Sequence, residues 1–429
     1  MATWLSRIRA KLRARLWVIP AAASVAAIAV AKGLVMVDGH IGQQRQAWFL
    51  FGGQAENARE LLSTIASSMM TFTALAFSIT ILGLQLASAQ FSPRVLGTFL
   101  EDRKTQVAIA SFVGTFVFSM TLLPEVRTAT AAQSDFVPAL SIFCAFLLVL
   151  TSVGVFIHYI DHMAHSVRAI AIIKRVAAET RESLLRTLPE NAVSSGERTP
   201  ALPDENAASV VAHDGLPGVL AEVDEKALLE AAQRFSAVIA VVPMPGDFVP
   251  RGAPLLRVWS AAGADSDLLR RAVVIEKERT AHQDPSFGFR QLVDIADRAL
   301  SPGVNDPTTA VQVLDELHDL LRALGSRPFA SPLRLDAAGV LRLILPRPGW
   351  DAYVRLALDE IRQYGGRSVQ VLRRMRALIL DCITTVPDDR RASLEEQLRL
   401  LDEATDREVP PAERSHAHRP NAQGQGGAG

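Results

Sequence analysis

Four long apolar stretches occupy residues 16–160, each bounded by polar or charged residues. The first runs from Leu16 to Val37, behind the basic run RIRAKLRARLW. The second, Leu61 to Ala89, reads LLSTIASSMMTFTALAFSITILGLQLASA; the third is Val107 to Leu123 and the fourth Phe136 to Tyr159. Each has the length a helix needs to cross a hydrocarbon core of about 30 Å. The first stretch is too long for a signal peptide, and no cleavage pattern with a polar start follows it, so it reads as an anchoring helix. The pattern changes after residue 160. A helix and a linker are expected over 161–208, the linker carried by LPENAVSSGERTPALPDENAAS. Residues 209–260 then alternate β-like runs with turns: SVVAHDG, VLAEVD, a helix near Glu225–Phe235, AVIAVV and GDFVPRGAPLLRVW.

From 265 to 323 the periodicity is helical, with apolar stripes Leu292, Ile295, Ala296, Ala299 and Val311, Leu314, Leu317. RLDAAGVLRLIL reads as a hairpin, followed by helices near 351–364, 367–384 and 392–404. Residues 406–429 are rich in Pro, Gly and Gln and are expected to be disordered. The predicted architecture is an α-helical membrane protein. A basic cytoplasmic N-terminus (1–15) precedes a transmembrane domain of four helices (16–160), and a cytoplasmic α+β domain (209–405) holds a small β-module.

Charge sets the expected orientation. Arg7, Arg9, Lys11, Arg13 and Arg15 precede the first span, Arg94, Arg103 and Lys104 lie in the second loop, and Arg168, Lys174 and Arg175 follow the fourth span. The other two loops hold fewer basic residues, diluted by acids and glycine, so the positive-inside rule places both termini in the cytoplasm of a bacterial inner membrane. Lys+Arg and Asp+Glu are equal at 45 each, which argues against nucleic acid as a partner. The two cysteines, Cys144 and Cys382, lie in an apolar run and on an amphipathic helix, so free thiols are expected rather than a disulfide framework.

Several separated motifs carry a family resemblance. FSITILGLQLASAQFSPRVLGTFLEDRKTQVAIASFVGTFVFSM, FIHYI and ERTAHQDPSFGFRQLVDIADRALSPGVNDPTTA occur in that order, and together they resemble the bacterial membrane-protein family called domain of unknown function 2254. The resemblance spans about residues 15–400 and departs from the family pattern in the His-rich DHMAHS after FIHYI. It implies a membrane anchor joined to a soluble domain and supplies no assigned activity to carry over. The turn GDFVPRGAPL also resembles half of a biotinyl or lipoyl β-barrel, but the modifiable lysine between methionines is missing, so a carrier role is not implied.

Three groups of residues are candidates for chemistry. Thr64, Thr71, Ser78 and Gln85 recur every seven residues on the second span, with Ser67 and Ser68 between the first two. Such a stripe fits a wet path, or close packing against another helix. The second group is polar: Arg279, Thr280, Gln283 and Asp284, with Ser301, Asn305, Asp306 and Thr309 one helix later. Asp284-Pro285 and Asp306-Pro307 read as helix starts with Asp as cap, and Gly303 as the left-handed residue that ends the helix between. A structural turn and a ligand or partner site both fit. Third, His158, His162 and His165 share one helix face at the end of the fourth span, a spacing open to zinc or copper and equally to solvated side chains.

No nucleotide, P-loop or hydrolase signature accompanies these groups, so no cofactor and no catalytic residue is indicated. The functional expectation is an oligomeric channel- or transport-like protein with a cytoplasmic regulatory domain. The alternatives are a membrane-tethered scaffold or binding protein and, third, a membrane-bound metalloenzyme. The expected partners are the lipid bilayer, further copies of the chain and an unidentified cytoplasmic partner.

Overall fold

A computed structural model describes residues 16–41, 54–90, 102–128, 136–166, 168–188, 202–260, 265–280, 283–329 and 331–422. The basic N-terminus, Arg94 and most of the linker lie outside the described residues. The chain divides into two compact units, Met1–Ala171 and Ile172–Gly429.

The first unit contains four helices long and apolar enough to cross a membrane. They are α1 (Val18–Ile41), α2 (Ala55–Gln90), α3 (Arg103–Leu122) and α4 (Ala139–Ser166). Helix α3 packs against the other three and is the most buried of the four. Phe72, Phe112 and Phe156 join α2, α3 and α4 through a stacked pair and two edge contacts. Short hydroxyl side chains fill the tighter seams: the Ser152 hydroxyl lies 3.1 Å from that of Thr115 and 3.2 Å from that of Ser111. Across the bundle, Tyr159 donates to the Ala76 carbonyl at 2.7 Å, satisfying a polar group where hydrocarbon would leave it bare. At the far ends of α1 and α4, the Asp38 carboxylate accepts from the Leu140 and Ser141 amides, both at 3.0 Å. It thereby takes up two donors that every helix N-terminus leaves open.

The second unit follows from α5 (Ala169–Thr187) and combines two sheets with a helical layer. Its strands are β1 (Ser209–Ala212), β2 (Gly218–Val223), β3 (Val238–Val241), β4 (Phe248–Val249), β5 (Pro254–Trp259), β6 (Val273–Glu276), β7 (Leu333–Leu335) and β8 (Leu341–Ile344). One sheet has the order β1-β5-β3-β8-β7 and the other β4-β2-β6. Within them β3 and β8 run parallel and every other pair antiparallel. The hairpin at 333–344 therefore completes the β-module instead of standing apart from it. Gly246 and Gly252 take φ of +95° and +84° in the two tight turns before β5, a region that costs a side-chain-bearing residue more than glycine.

Helices α6 (Glu225–Arg234) and α7 (Ser266–Arg271) pack with the sheets. The helical layer consists of α8 (Pro285–Leu300), α9 (Pro307–Gly325), α10 (Trp350–Gly365), α11 (Val369–Thr385), α12 (Arg391–Glu408) and α13 (Pro411–Ala417). Both apolar stripes expected in this layer are buried. The expected disorder from Asp406 is not what the structure shows up to residue 422. Helix α12 continues to Glu408 and α13 docks beyond it, because His416 accepts from Arg373 at 2.7 Å while His418 lies 2.9 Å from the Asp406 carboxylate.

Candidate functional site

Of the polar residues singled out by sequence, the two clusters lie at opposite ends of α8. Its 16 residues span about 24 Å at 1.5 Å per residue, so they form two places and not one. At the far end, Asp306 caps α9: its carboxylate accepts from the Thr309 amide at 3.1 Å and from the Thr309 hydroxyl at 2.6 Å. Asn305, with φ of +51°, supplies the left-handed residue, not Gly303. Asparagine tolerates that conformation through local hydrogen bonding. Ser301 accepts the Asn305 amide on its carbonyl at 2.9 Å. These bonds account for the segment as a turn.

The near end is different. Asp284 makes no side-chain cap; its carboxylate is 4% exposed and pairs with Arg279 Nε at 2.5 Å and with the Ser286 hydroxyl. Arg279 also donates to Ser286 Oγ and lies 5.4 Å over the Phe287 ring, with Thr280 partly buried beside it. A Cβ on Gly246 would fall 2.5 Å from both Arg279 Nε and the Asp284 carboxylate, so the ion pair needs a glycine there. Gln283 accepts from the Val223 amide at 3.0 Å and thereby ties this end of α8 to the end of β2.

Gln283 and Asp284 form part of the wall of a cavity of about 600 Å³ within the second unit, a size ordinary for small-molecule sites. The rest of the wall comes from places that sequence periodicity did not single out. The end of α5 gives Arg186, the first turn of α6 Glu225, and β7 Arg334. The connection from β8 to α10 gives Pro346, Arg347 and Pro348, and α10 gives Tyr353. Proline fixes φ on either side of Arg347 and removes two amide donors, so this wall is both stiff and apolar in its backbone. Tyr353 is 3% exposed and packs edge-on to Phe289 at 5.2 Å. Its hydroxyl has no hydrogen-bond partner among the described residues. Burial, and then the nearby Asp284 carboxylate, raise its phenol above the ordinary value, so it stays a neutral donor at every physiological pH.

The transmembrane stripe lies on the outside of the single-chain bundle. Thr64, Thr71, Ser78 and Gln85 are exposed and Ser68 half-buried, while Leu62, Ile65, Met69 and Ala76 on the same helix are buried. Thr71 returns its hydroxyl to the Ser67 carbonyl at 3.1 Å. Buried hydroxyls among the described residues include Thr73, Thr115, Ser119 and Ser152, for which a seven-residue repeat gives no signal. Of the histidines, His162 is taken by the Asp102 carboxylate at 2.6 Å, and His165 lies 2.8 Å from the Asp161 carbonyl. His158 borders a smaller groove between α3 and α4, with Arg103 and Lys104.

Among the described residues, the group that gathers three potential ligand atoms within 4.8 Å is His318, Asp381 and Cys382. Its chemistry suits a brace between α9 and α11. Arg322 and Arg374 bond to Asp381 and His318, adding positive charge where a cation would sit, and burial pushes the Cys382 thiol up to about 12.

A sequence model described as "Predicted membrane protein (DUF2254)" matches residues 13–381. The chain belongs to this family. Among DUF2254 relatives, an uncharacterized protein of Mycobacterium tuberculosis (strain ATCC 25618 / H37Rv) is 35% identical over 369 residues, covering 84% of this chain and 70% of that protein. An uncharacterized protein of Mycobacterium bovis (strain ATCC BAA-935 / AF2122/97) matches with the same identity and coverage. No solved structure matches this DUF2254 chain.

Proposed function

We propose that the chain is a membrane-anchored binding protein of the bacterial inner membrane. In this reading both termini lie in the cytoplasm, and the C-terminal domain recognises a small molecule in the cavity beside Tyr353. The observation that carries the reading is the Tyr353 hydroxyl, a donor in an almost wholly buried residue that lines a cavity and has no hydrogen-bond partner among the described residues. Buried polar groups are normally paired, and a few unpaired ones among apolar walls are what orient a ligand. A channel-like role has narrower support. The polar stripe faces outward, so a path along it requires several copies of the chain, whereas the cavity is built within one.

Removing the hydroxyl tests the reading. Tyr353→Phe breaks no internal bond, so thermal unfolding of the purified full chain should stay within about 0.5 kcal/mol of the natural protein. Small organic anions that stabilise the natural chain in a thermal-shift screen should bind the variant about 5- to 10-fold more weakly. Equal stabilisation of both proteins by every such compound would overturn the cavity as the site. The orientation has its own support in the basic residues of the second loop and beyond the fourth span. A reporter active only in the cytoplasm should work when fused after Arg175 and stay silent after Thr128; the opposite pattern inverts the topology.

A further inference from the structure

Resting on that reading of the cavity, we infer that its ligand carries a phosphoryl group held by Arg334 and Arg347, and that Glu225 is the resident carboxylate this group displaces. Both guanidiniums converge on Glu225, Arg334 Nε at 3.3 Å from one oxygen and Arg347 Nη2 on the other. Two cations facing one carboxylate leave a positive charge in excess. Their remaining contacts are to backbone: Arg334 Nη1 donates to the Ser331 carbonyl and Arg347 Nη1 to that of Thr187 at 3.4 Å. Arg334 Nη2 and Arg347 Nε have no acceptor among the described residues.

Glu225 is not otherwise needed where it stands. Asp224 already caps α6, its carboxylate accepting from the Ala227 amide at 3.0 Å, and the hydrogen bonds to the Glu225 carboxylate come from the two arginines. The ordinary reason for a forked pair of guanidiniums is a planar or tetrahedral oxyanion, and each fork can hold two oxygens at once. A phosphoryl dianion offers three oxygens and twice the charge of a carboxylate. It can take both forks at once, and the Tyr353 hydroxyl lines the same cavity. The apolar walls, Phe329 and the prolines flanking Arg347, suit a flat organic body attached to that group. The ligand class is therefore a phosphorylated small organic molecule.

Glu225→Gln gives the discriminating result. It removes the competing charge and leaves both arginines in place, so binding should tighten. Calorimetry on the purified full chain in a neutral detergent would compare adenosine monophosphate and phenyl phosphate with adenosine, benzoate and inorganic phosphate. At least one phosphorylated organic probe should bind 10-fold or more tightly than adenosine and benzoate. Its affinity should rise about 5-fold in Glu225→Gln and fall at least 10-fold in the Arg334→Gln/Arg347→Gln double variant, with thermal unfolding confirming that each variant is folded. Inorganic phosphate binding as well as the organic probes supports the cradle and assigns recognition to the phosphoryl group alone. No binding of any phosphorylated probe at millimolar concentration, or binding indifferent to Glu225→Gln, overturns the assignment. A neutral or carboxylate ligand weakened by Tyr353→Phe but untouched by the arginine variants would overturn it too, while leaving the cavity reading in place.

Discussion

The Asp297→Asn variant is expected to unfold with a flatter pH profile than the natural chain and to be the more stable of the two near pH 7.5. Arg290 on α8 faces three carboxylates: Asp294 at 2.6 Å, Glu360 at 2.6 Å and Asp297 at 3.6 Å. Burial, and then hydrogen bonding and repulsion from Glu360, push Asp297 up to about 8, so the pair keeps a proton near neutrality.

The folded chain thus holds a proton that the unfolded chain releases near 3.8. This proton stabilises the fold fully below about pH 4, and its contribution is lost progressively until about pH 8. The slope approaches about 1.4 kcal/mol per pH unit at most, and sharing with Glu360 and partial solvation reduce it. Asparagine keeps an amide donor toward Glu360 without titrating. Denaturation midpoints of the full chain between pH 5 and 8 would show the difference, and parallel profiles for the two proteins would refute the shared proton.

Gly288→Ala should cost about 3 kcal/mol, although alanine is the better helix former by about 1 kcal/mol. Gly288 sits in the first turn of α8, where a Cβ would lie 1.8 Å from Thr180 Oγ1 and 2.7 Å from Thr180 Cβ on α5. Thr180 is fully buried and bonds its hydroxyl to the Val176 carbonyl at 2.6 Å, so it has no room to turn away. Thr180→Ala would leave the 2.7 Å contact to Cβ in place and rescue little. Thr180→Gly removes the three nearest atoms, and in that background Gly288→Ala should become neutral or favourable. A double-mutant cycle measures this directly, and additive effects would show that the two helices part at small cost.

The spans were legible in the sequence because twenty consecutive apolar residues have few other uses. The start of the second was misplaced, at Leu61 instead of Ala55, because AENARE mixes charges into turns that are already helical. The cap at Asp306 was legible because capping is local: Asp, Pro and Thr decide it within four residues. Asp284 had the same look and a different role, since its partner Arg279 lies outside the helix and reaches it only through the fold. The histidines show the same limit. Spacing puts them on one face, but Asp102, from before another helix, decides what His162 does. The cavity was the least legible part. Glu225 stands 109 residues before Arg334 and 122 before Arg347, each ordinary where it stands, and their meeting depends on β8 joining β3. The stripe on α2 had a clear period, but a period names a face and not its neighbour.

The Asp38 contact also has a place in the order of synthesis. It links the first span to residues 102 and 103 positions later, at the head of the fourth. During synthesis the first three spans therefore enter the bilayer before this clasp has its other half. Until then Asp38, in the last turn of its helix, is without these two partners. Once the fourth span is made, its open amides receive that carboxylate and the first and fourth spans are joined. Chain order alone thus makes this contact between the first and fourth spans the one that can form only after the last span is made.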